Sequence, residues 1–252
     1  MTTAADMAVH PGTLVAETCP AKAERLGPED EARAGLRLVT EAPGINDTRR
    51  GWNPEKFAEQ QVRGLIQRVF FPGWPRPSRQ VVFTAVDQAT DTAGVCARVI
   101  RGMAVQLPGT VCGVEANLRS PGLENALACG HQPSDSPKLL HVADNLWLLT
   151  SGGFLEGRRE PFSSVWLRSR LNGLRREFHY TVIHAPVAGG FSEAALLGQL
   201  ADGVILVLAA HATRRAAAQQ TKEILQVANA RLLGTVLSER TFPIPEMLYR
   251  NL

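Results

Sequence analysis

The chain has 252 residues, of which 44% are hydrophobic and 20% are charged, so it is long and apolar enough to bury a substantial core. Its formal net charge is +3. Basic residues occur in pairs that are spread along the chain, at Arg49-Arg50, Arg158-Arg159, Arg175-Arg176 and Arg214-Arg215. Nucleic-acid binding requires basic residues gathered on one face, so we expect no nucleic-acid partner.

Residues 1–52 are rich in Ala, Glu, Pro, Gly and Thr and show no sustained apolar period. This composition predicts a flexible N-terminal arm that folds only against a partner. Apolar residues then recur at helical spacing over Asn53–Phe71, and Asn53-Pro54 is a favourable helix start. The Pro-rich segment 72–77 breaks the chain after this helix.

From residue 80 onwards, short apolar strands alternate with longer helices. Strands are predicted at Gln80–Val86, Thr110–Glu115, Asn145–Thr150, Tyr180–His184, Gly203–Ala210 and Leu232–Leu237. Helices are predicted at Ala93–Gln106, Phe162–Glu177, Phe191–Leu200 and Arg214–Asn229, with a short helix or turn at Leu118–Cys129. The alternation is typical of a doubly wound α/β fold, a mostly parallel sheet with helices on both faces. One domain therefore covers 53–240, and a Pro-containing tail, 241–252, either packs on it or docks on a partner.

Cysteine spacing and hydropathy exclude two further classes of protein. Cys19, Cys96, Cys112 and Cys129 show no CxxC spacing, and no His pair has zinc-finger spacing, so we predict no zinc-finger site. The longest apolar run, Val204–Ala210, is far below the roughly 20 residues of a membrane-spanning helix. The N-terminus also lacks a signal-peptide pattern. We expect a cytoplasmic protein with no direct membrane insertion, which reaches the inner membrane only through a partner.

Five segments carry a recognisable pattern, namely Gln80–Val86, Val111–Pro121, Phe178–Pro186, Leu200–Leu208 and Ala228–Leu237. In this order and spacing they resemble the bacterial tyrosine kinases of exopolysaccharide export, which are related to the chromosome-partitioning and septum-site ATPases. The resemblance extends over residues 53–240. It implies a P-loop ATPase fold with a nucleotide site at the carboxyl ends of the strands.

At the positions that contact the nucleotide, the sequence departs from this family. The phosphate loop Gly-x-Gly-Lys-Ser-Thr corresponds to 89–94, where Ala89 and Asp91 replace glycines, Thr92 replaces lysine and Ala93 replaces the magnesium-binding hydroxyl. The acidic positions carry other residues as well: Glu115 and Asn117 replace two aspartates, His184 replaces the Walker B aspartate, and Asp87 ends the first strand. A phosphate loop requires glycine backbone N–H groups and the lysine. We therefore expect vestigial nucleotide-binding positions, no catalytic residues and no bound cofactor.

Two interpretations of this edge of the sheet remain open from sequence. His184 with Glu115, Asp87 and Asp91 could hold a divalent ion, or these side chains form a hydrogen-bonded polar patch; we favour the patch and predict no metal. Arg119 either contacts an anion at the rim of the site or is a solvated helix-end residue.

The resemblance implies a function, and the departures modify it. The family autophosphorylates a tyrosine-rich tail, whereas this sequence has two tyrosines, Tyr180 and Tyr249. Its Glu-x-x-Arg-x-x-Arg ring motif falls on Gln60, Arg63 and Ile66, so a homo-oligomer need not be a ring of the family's kind. We expect a pseudo-kinase that binds a membrane-anchored polysaccharide chain-length regulator. The alternatives are an active autokinase or ATPase that uses ATP and magnesium with unusual residues, and a positioning protein like the partitioning ATPases.

Overall fold

The structure is a computed structural model. It describes residues 17–18, 54–71, 77–127, 138–156 and 163–239. The predicted N-terminal arm and C-terminal tail lie outside the described residues, except for Glu17–Thr18, so these domain boundaries stay predictions. Among the described residues, no helix is long and apolar enough to cross a membrane.

The described strands form one sheet of eight, in the order β1-β4-β5-β3-β6-β2-β7-β8. Their bounds are β1 Glu17–Thr18, β2 Gln80–Ala85, β3 Val111–Glu115, β4 Leu139–Ala143, β5 Leu146–Leu149, β6 Tyr180–His184, β7 Gly203–Ala209 and β8 Leu232–Ser238. All neighbouring strands run parallel except β4 and β5, which are antiparallel. The predicted doubly wound, mostly parallel α/β fold is therefore confirmed.

Helices cover both faces of the sheet. Their bounds are α1 Pro54–Val69, α2 Thr92–Gln106, α3 Leu123–Ala126, α4 Ser151–Leu155, α5 Ser164–Glu177, α6 Ser192–Leu200 and α7 Arg215–Val227. The core under α1 and α2 contains the buried side chains Ile66, Phe83, Val99, Ile100 and Met103. The core under α5, α6 and α7 contains Val82, Leu167, Leu171, Ile183 and Leu197. Burial of each of these large apolar side chains stabilises the fold by about 1.5–3 kcal/mol. The sheet therefore lies between two apolar layers.

Besides the two-residue strand β1, which lies in the segment predicted as a flexible arm, two elements were missed by the sequence prediction. Strand β4 pairs with β5 as a hairpin, with Asp144-Asn145 between the two strands. The five-residue helix α4 directly follows β5, and both elements are too short to show a clear apolar period. The short helix or turn predicted at Leu118–Cys129 contains α3 as a single turn, Leu123–Ala126.

The topology brings the carboxyl ends of four strands together along one edge of the sheet. Strands β3, β6, β2 and β7 are consecutive neighbours in the sheet, although they are distant in sequence. Since they are parallel, their carboxyl ends lie along one edge, where open α/β sheets bind their ligands. The loop from β2 to α2, the loop from β3 to α3 and the loop from β6 to α6 all begin there.

Candidate functional site

A cleft of about 300 Å³ opens at this edge. It is lined by the end of β2 and the loop after it, the loop after β3, the end of β6 and Phe191. Of the site residues predicted from sequence, those lining the cleft are Asp87, Ala89, Asp91, Thr92, Ala93, Asn117, Arg119 and His184. Glu115 does not line it, but contacts His184 from the neighbouring strand. The residues that were distant in sequence are thus brought to one site.

The first side of the cleft is the N-terminus of α2, which Asp91 caps. The Asp91 carboxylate accepts a hydrogen bond from Gly94 N at 2.8 Å, which satisfies one of the otherwise unpaired N–H groups of a helix start. Gly94 is required here because a Cβ at this position would overlap that carboxylate. Thr92 N donates to Thr90 O at 2.8 Å, and Asp91 N donates to Glu239 Oε1 at 3.3 Å. These N–H groups are therefore already used by the protein itself.

Asp87 joins two loops at the end of β2. Its Oδ1 accepts a hydrogen bond from Thr90 Oγ1 at 2.8 Å, and its Oδ2 accepts one from Thr213 Oγ1 at 2.9 Å. Thr213 Oγ1 in turn accepts from Ala209 N at 3.0 Å, at the end of β7. Asp87 thereby ties the loop before α2 to the loop before α7, which restricts movement on this side of the cleft.

A buried pair of side chains lies at the floor of the cleft. Glu115 and His184 are paired in the register of β3 and β6, and His184 Nδ1 lies 2.7 Å from Glu115 Oε1. Both side chains are almost wholly buried, with exposed fractions of 3% and 4%. An ionised carboxylate only accepts hydrogen bonds, so Nδ1 of His184 is the donor in this contact.

Glu115 also organises the loop after β3. Its Oε2 accepts hydrogen bonds from Gly122 N and Leu123 N, both at 2.8 Å. Its Oε1 accepts a third from Asn117 N at 3.1 Å. With His184, four donors surround this carboxylate, which is how a protein stabilises a buried charge. Among the described residues, no group of three or more His, Cys, Asp and Glu side chains could hold a metal ion.

Arg119 lies at the rim, where its side chain is 56% exposed and forms an ion pair with Glu193 at 3.1 Å. Its guanidinium also lies 4.0 Å from the centre of the Phe191 ring, a cation–π contact. To contact an anion in the cleft, Arg119 would have to leave Glu193. Sequence reasoning named Arg119 but missed its two partners, since they are more than 70 residues away and only the fold brings them together.

The described cysteines near the site are inert. Burial raises the pKa of the Cys96 thiol well above its usual value, and the charges of Glu115 and Asp91 raise it further. Burial likewise raises the pKa of Cys112. A thiolate is the reactive form of cysteine, so neither residue is a nucleophile at neutral pH.

The sequence and the fold of the chain were compared with those of known proteins. No family model matches the chain. The chain is 22% identical over 196 residues to the tyrosine-protein kinase YwqD of Bacillus subtilis, covering 73% of this chain and 82% of that protein. It is 21% identical over 198 residues to the putative tyrosine-protein kinase CapB of Staphylococcus aureus, which covers 74% of this chain and 86% of CapB. The kinase domain of the Escherichia coli tyrosine kinase ETK superposes with a TM-score of 0.57 at 17% identity. The superposition covers 90% of this chain and 92% of the ETK chain. The chain is thus similar in sequence to bacterial tyrosine kinases and shares their fold.

Proposed function

We propose that this protein is a kinase-like binding protein whose cleft does not bind magnesium-ATP, and that it regulates exopolysaccharide assembly or export through a partner. The observation that carries the proposal is the Asp91 carboxylate, which caps α2 at the cleft. In the P-loop ATPases that the chain resembles, the corresponding helix N-terminus faces the phosphates of the nucleotide. Here the protein's own anion lies at that helix end.

The Asp91 carboxylate repels a phosphate group more strongly than the N-terminus of α2 attracts it. A phosphate oxygen about 5 Å from the Asp91 carboxylate would be repelled by about 3 kcal/mol at an effective dielectric constant near 20. The helix dipole favours an anion by only about 0.3–2 kcal/mol. Asp87 is a second carboxylate lining the same cleft, so the repulsion exceeds the attraction.

The residues of the cleft also lack the groups that hold a magnesium nucleotide. Thr92, at the position of the family's lysine, is buried, and its Oγ1 lies 3.4 Å from Thr90 O. Arg119 is the only basic side chain among the described residues that line the cleft, apart from His184, and it is paired with Glu193. Both carboxylate oxygens of Glu115 accept hydrogen bonds from the protein. The residues present therefore do not fit magnesium-ATP.

Tyrosine autophosphorylation has little support in the sequence. Tyr180 lies in β6 and its ring packs edge-on against Phe70, with 6.3 Å between ring centres. The other tyrosine, Tyr249, lies outside the described residues. A single candidate does not make the tyrosine cluster on which the family's autokinase activity acts.

The partner follows from the family resemblance. The sequence resembles the bacterial tyrosine kinases of exopolysaccharide export, so we propose a membrane-anchored chain-length regulator or a related envelope protein as the partner. The protein would then be cytoplasmic and held at the inner membrane by this partner. Affinity purification of the full chain should enrich such an envelope protein, and recovery of unrelated soluble proteins alone would contradict the proposed pathway.

Calorimetric titration of the purified full chain with ATP, with and without magnesium, tests the loss of nucleotide binding. We expect no heat of binding and no thermal shift at millimolar ATP. The double variant Asp91→Asn with Thr92→Lys, which removes the anion and restores the lysine, should bind ATP more tightly than the native chain. Micromolar, magnesium-dependent binding by the native chain would overturn the proposal in favour of an active ATPase or autokinase.

A further inference from the structure

Two carboxylates at the cleft have no cationic partner. Asp87 and Asp91 both line it, and within the described parts of the chain neither lies within 4.0 Å of a Lys, Arg or His nitrogen. Their hydrogen bonds come from threonine hydroxyls and backbone N–H groups, which leave the charge in place. Oδ2 of Asp91 accepts no bond from any described residue.

A second observation points to a ligand with N–H donors. The His184 side chain is 96% buried, its exposed fraction being 4%, yet it lines the cleft. Its Nδ1 is held by Glu115, whereas no hydrogen bond joins Nε2 to any described residue. In the tautomer whose proton lies on Nδ1 and points at this carboxylate, Nε2 presents a lone pair to the cleft. A carboxylate behind a histidine also makes that lone pair a stronger acceptor.

The net charge of the site has a definite sign. Asp87, Asp91 and Glu115 contribute three negative charges, while Arg119 and Glu193 cancel each other. The N-terminus of α2 offsets about half a charge, so the sum is negative even before Glu239, whose Oε1 accepts a hydrogen bond from Asp91 N, is added. The site is therefore negative, so the cleft attracts cations and repels anions.

We infer that the cleft binds a primary ammonium or guanidinium group, with Asp87, Asp91 and Nε2 of His184 as its acceptors. Such a group combines positive charge with several N–H donors, which is what two carboxylates and a ring nitrogen complement. The inference rests on the proposed function, because a cleft that bound magnesium-ATP would have to accept the opposite charge. The group could belong to a free polyamine or to a lysine or arginine side chain of a partner.

A ¹H–¹⁵N NMR titration of the full chain tests this. The probes are 1,4-diaminobutane and Nα-acetyl-lysine methylamide, which represent the free amine and the protein side chain. Tetramethylammonium carries the same charge without N–H donors and is the control ligand. We expect saturable shifts of the backbone amides of Thr90, Asp91 and Ala185 at millimolar probe, and binding of tetramethylammonium at least about fivefold weaker. Tighter binding of the diamine points to a free polyamine, and equal or tighter binding of the blocked lysine points to a partner's side chain.

Asp91→Asn provides the matched variant, because asparagine caps a helix about as well as aspartate but carries no charge. It should weaken binding of either amine about three- to fivefold, while Glu223→Gln, the same change on the exposed surface of α7, should leave it unchanged. Absence of saturable shifts, or equal binding by the native chain and Asp91→Asn, would overturn the inference. ATP titrated in the same way separates the two failures, since ATP binding would refute the proposed function as well, whereas silence toward both ligands refutes only the amine site.

Discussion

Glu115 and His184 face each other across β3 and β6, with 2.7 Å between Glu115 Oε1 and His184 Nδ1. Both belong to strands whose other residues are, apart from the half-buried Tyr180, buried and mainly apolar. The pair is stable there because Glu115 also accepts three backbone hydrogen bonds from the loop after β3. The floor of the cleft and the wall beside it therefore depend on one carboxylate.

Replacing this carboxylate should be costly. Glu115→Ala leaves His184 and the N–H groups of Asn117, Gly122 and Leu123 without their acceptor, so we expect the free energy of unfolding to fall by about 3–5 kcal/mol. Urea denaturation followed by circular dichroism measures the change. Glu223→Ala, on the exposed side of α7, should stay within about 0.5 kcal/mol of the native chain. A loss below about 1 kcal/mol for Glu115→Ala would mean that the loop finds other acceptors.

The Asp91 cap can be separated from the Asp91 charge. Asp91→Ala removes the acceptor for Gly94 N and should lower the free energy of unfolding by about 1 kcal/mol. Asp91→Asn keeps an acceptor oxygen and should remain close to the native chain. Thermal and urea denaturation of both variants provide the comparison. Equal destabilisation by alanine and asparagine would show that the charge, not the cap, stabilises α2.

Residue patterns predict much of this site. The rest depends on loop conformations, which these patterns do not specify. Alternating strands and helices place Asp87 and His184 at the same sheet edge. The capping role of Asp91, which immediately precedes the apolar helix, could have been found from the preference of aspartate for helix starts. For the β4–β5 hairpin, the local signal was the pair Asp144-Asn145, two residue types that favour turns. By contrast, the hydrogen bonds from Gly122 to Glu115 and from Thr213 to Asp87 depend on loop conformation, which no local periodicity encodes.

The link between the two loops predicts an energetic coupling. Thr213→Val preserves the shape of the side chain but removes its bonds to Asp87 and to Ala209 N, so it should lower the free energy of unfolding by about 1–2 kcal/mol. Thr235→Val on the exposed part of β8 is the matched control and should have almost no effect. In a double-mutant cycle, Thr213→Val and Asp87→Ala should show a coupling of at least about 0.5 kcal/mol. Strict additivity would show that the hydrogen bond from Thr213 to Asp87 does not couple the two loops energetically.

Acid sensitivity should arise at the opposite edge of the sheet, at Asp202. Its Oδ2 accepts hydrogen bonds from Arg79 N at 2.7 Å and Gln80 N at 2.8 Å, and its Oδ1 accepts one from Arg175 Nη2 at 2.6 Å. Burial acts to raise the pKa of this carboxyl, but the bonds from Arg175 and the two backbone N–H groups outweigh it and hold the pKa below the ordinary value of 3.8. The group therefore binds a proton more readily in the unfolded chain than in the folded chain.

The sign of the pH effect follows from this difference. Stabilisation by Asp202 is fully present above its unfolded pKa and is lost as the pH falls through the lower folded pKa. Between about pH 5 and about pH 2, the native chain should lose more stability than Asp202→Asn, which has no proton to gain, and Arg175→Gln should fall between them because the backbone bonds remain. Urea denaturation at a series of pH values measures the three curves. Parallel curves for the native chain and Asp202→Asn would show that Asp202 is not the source of the acid sensitivity.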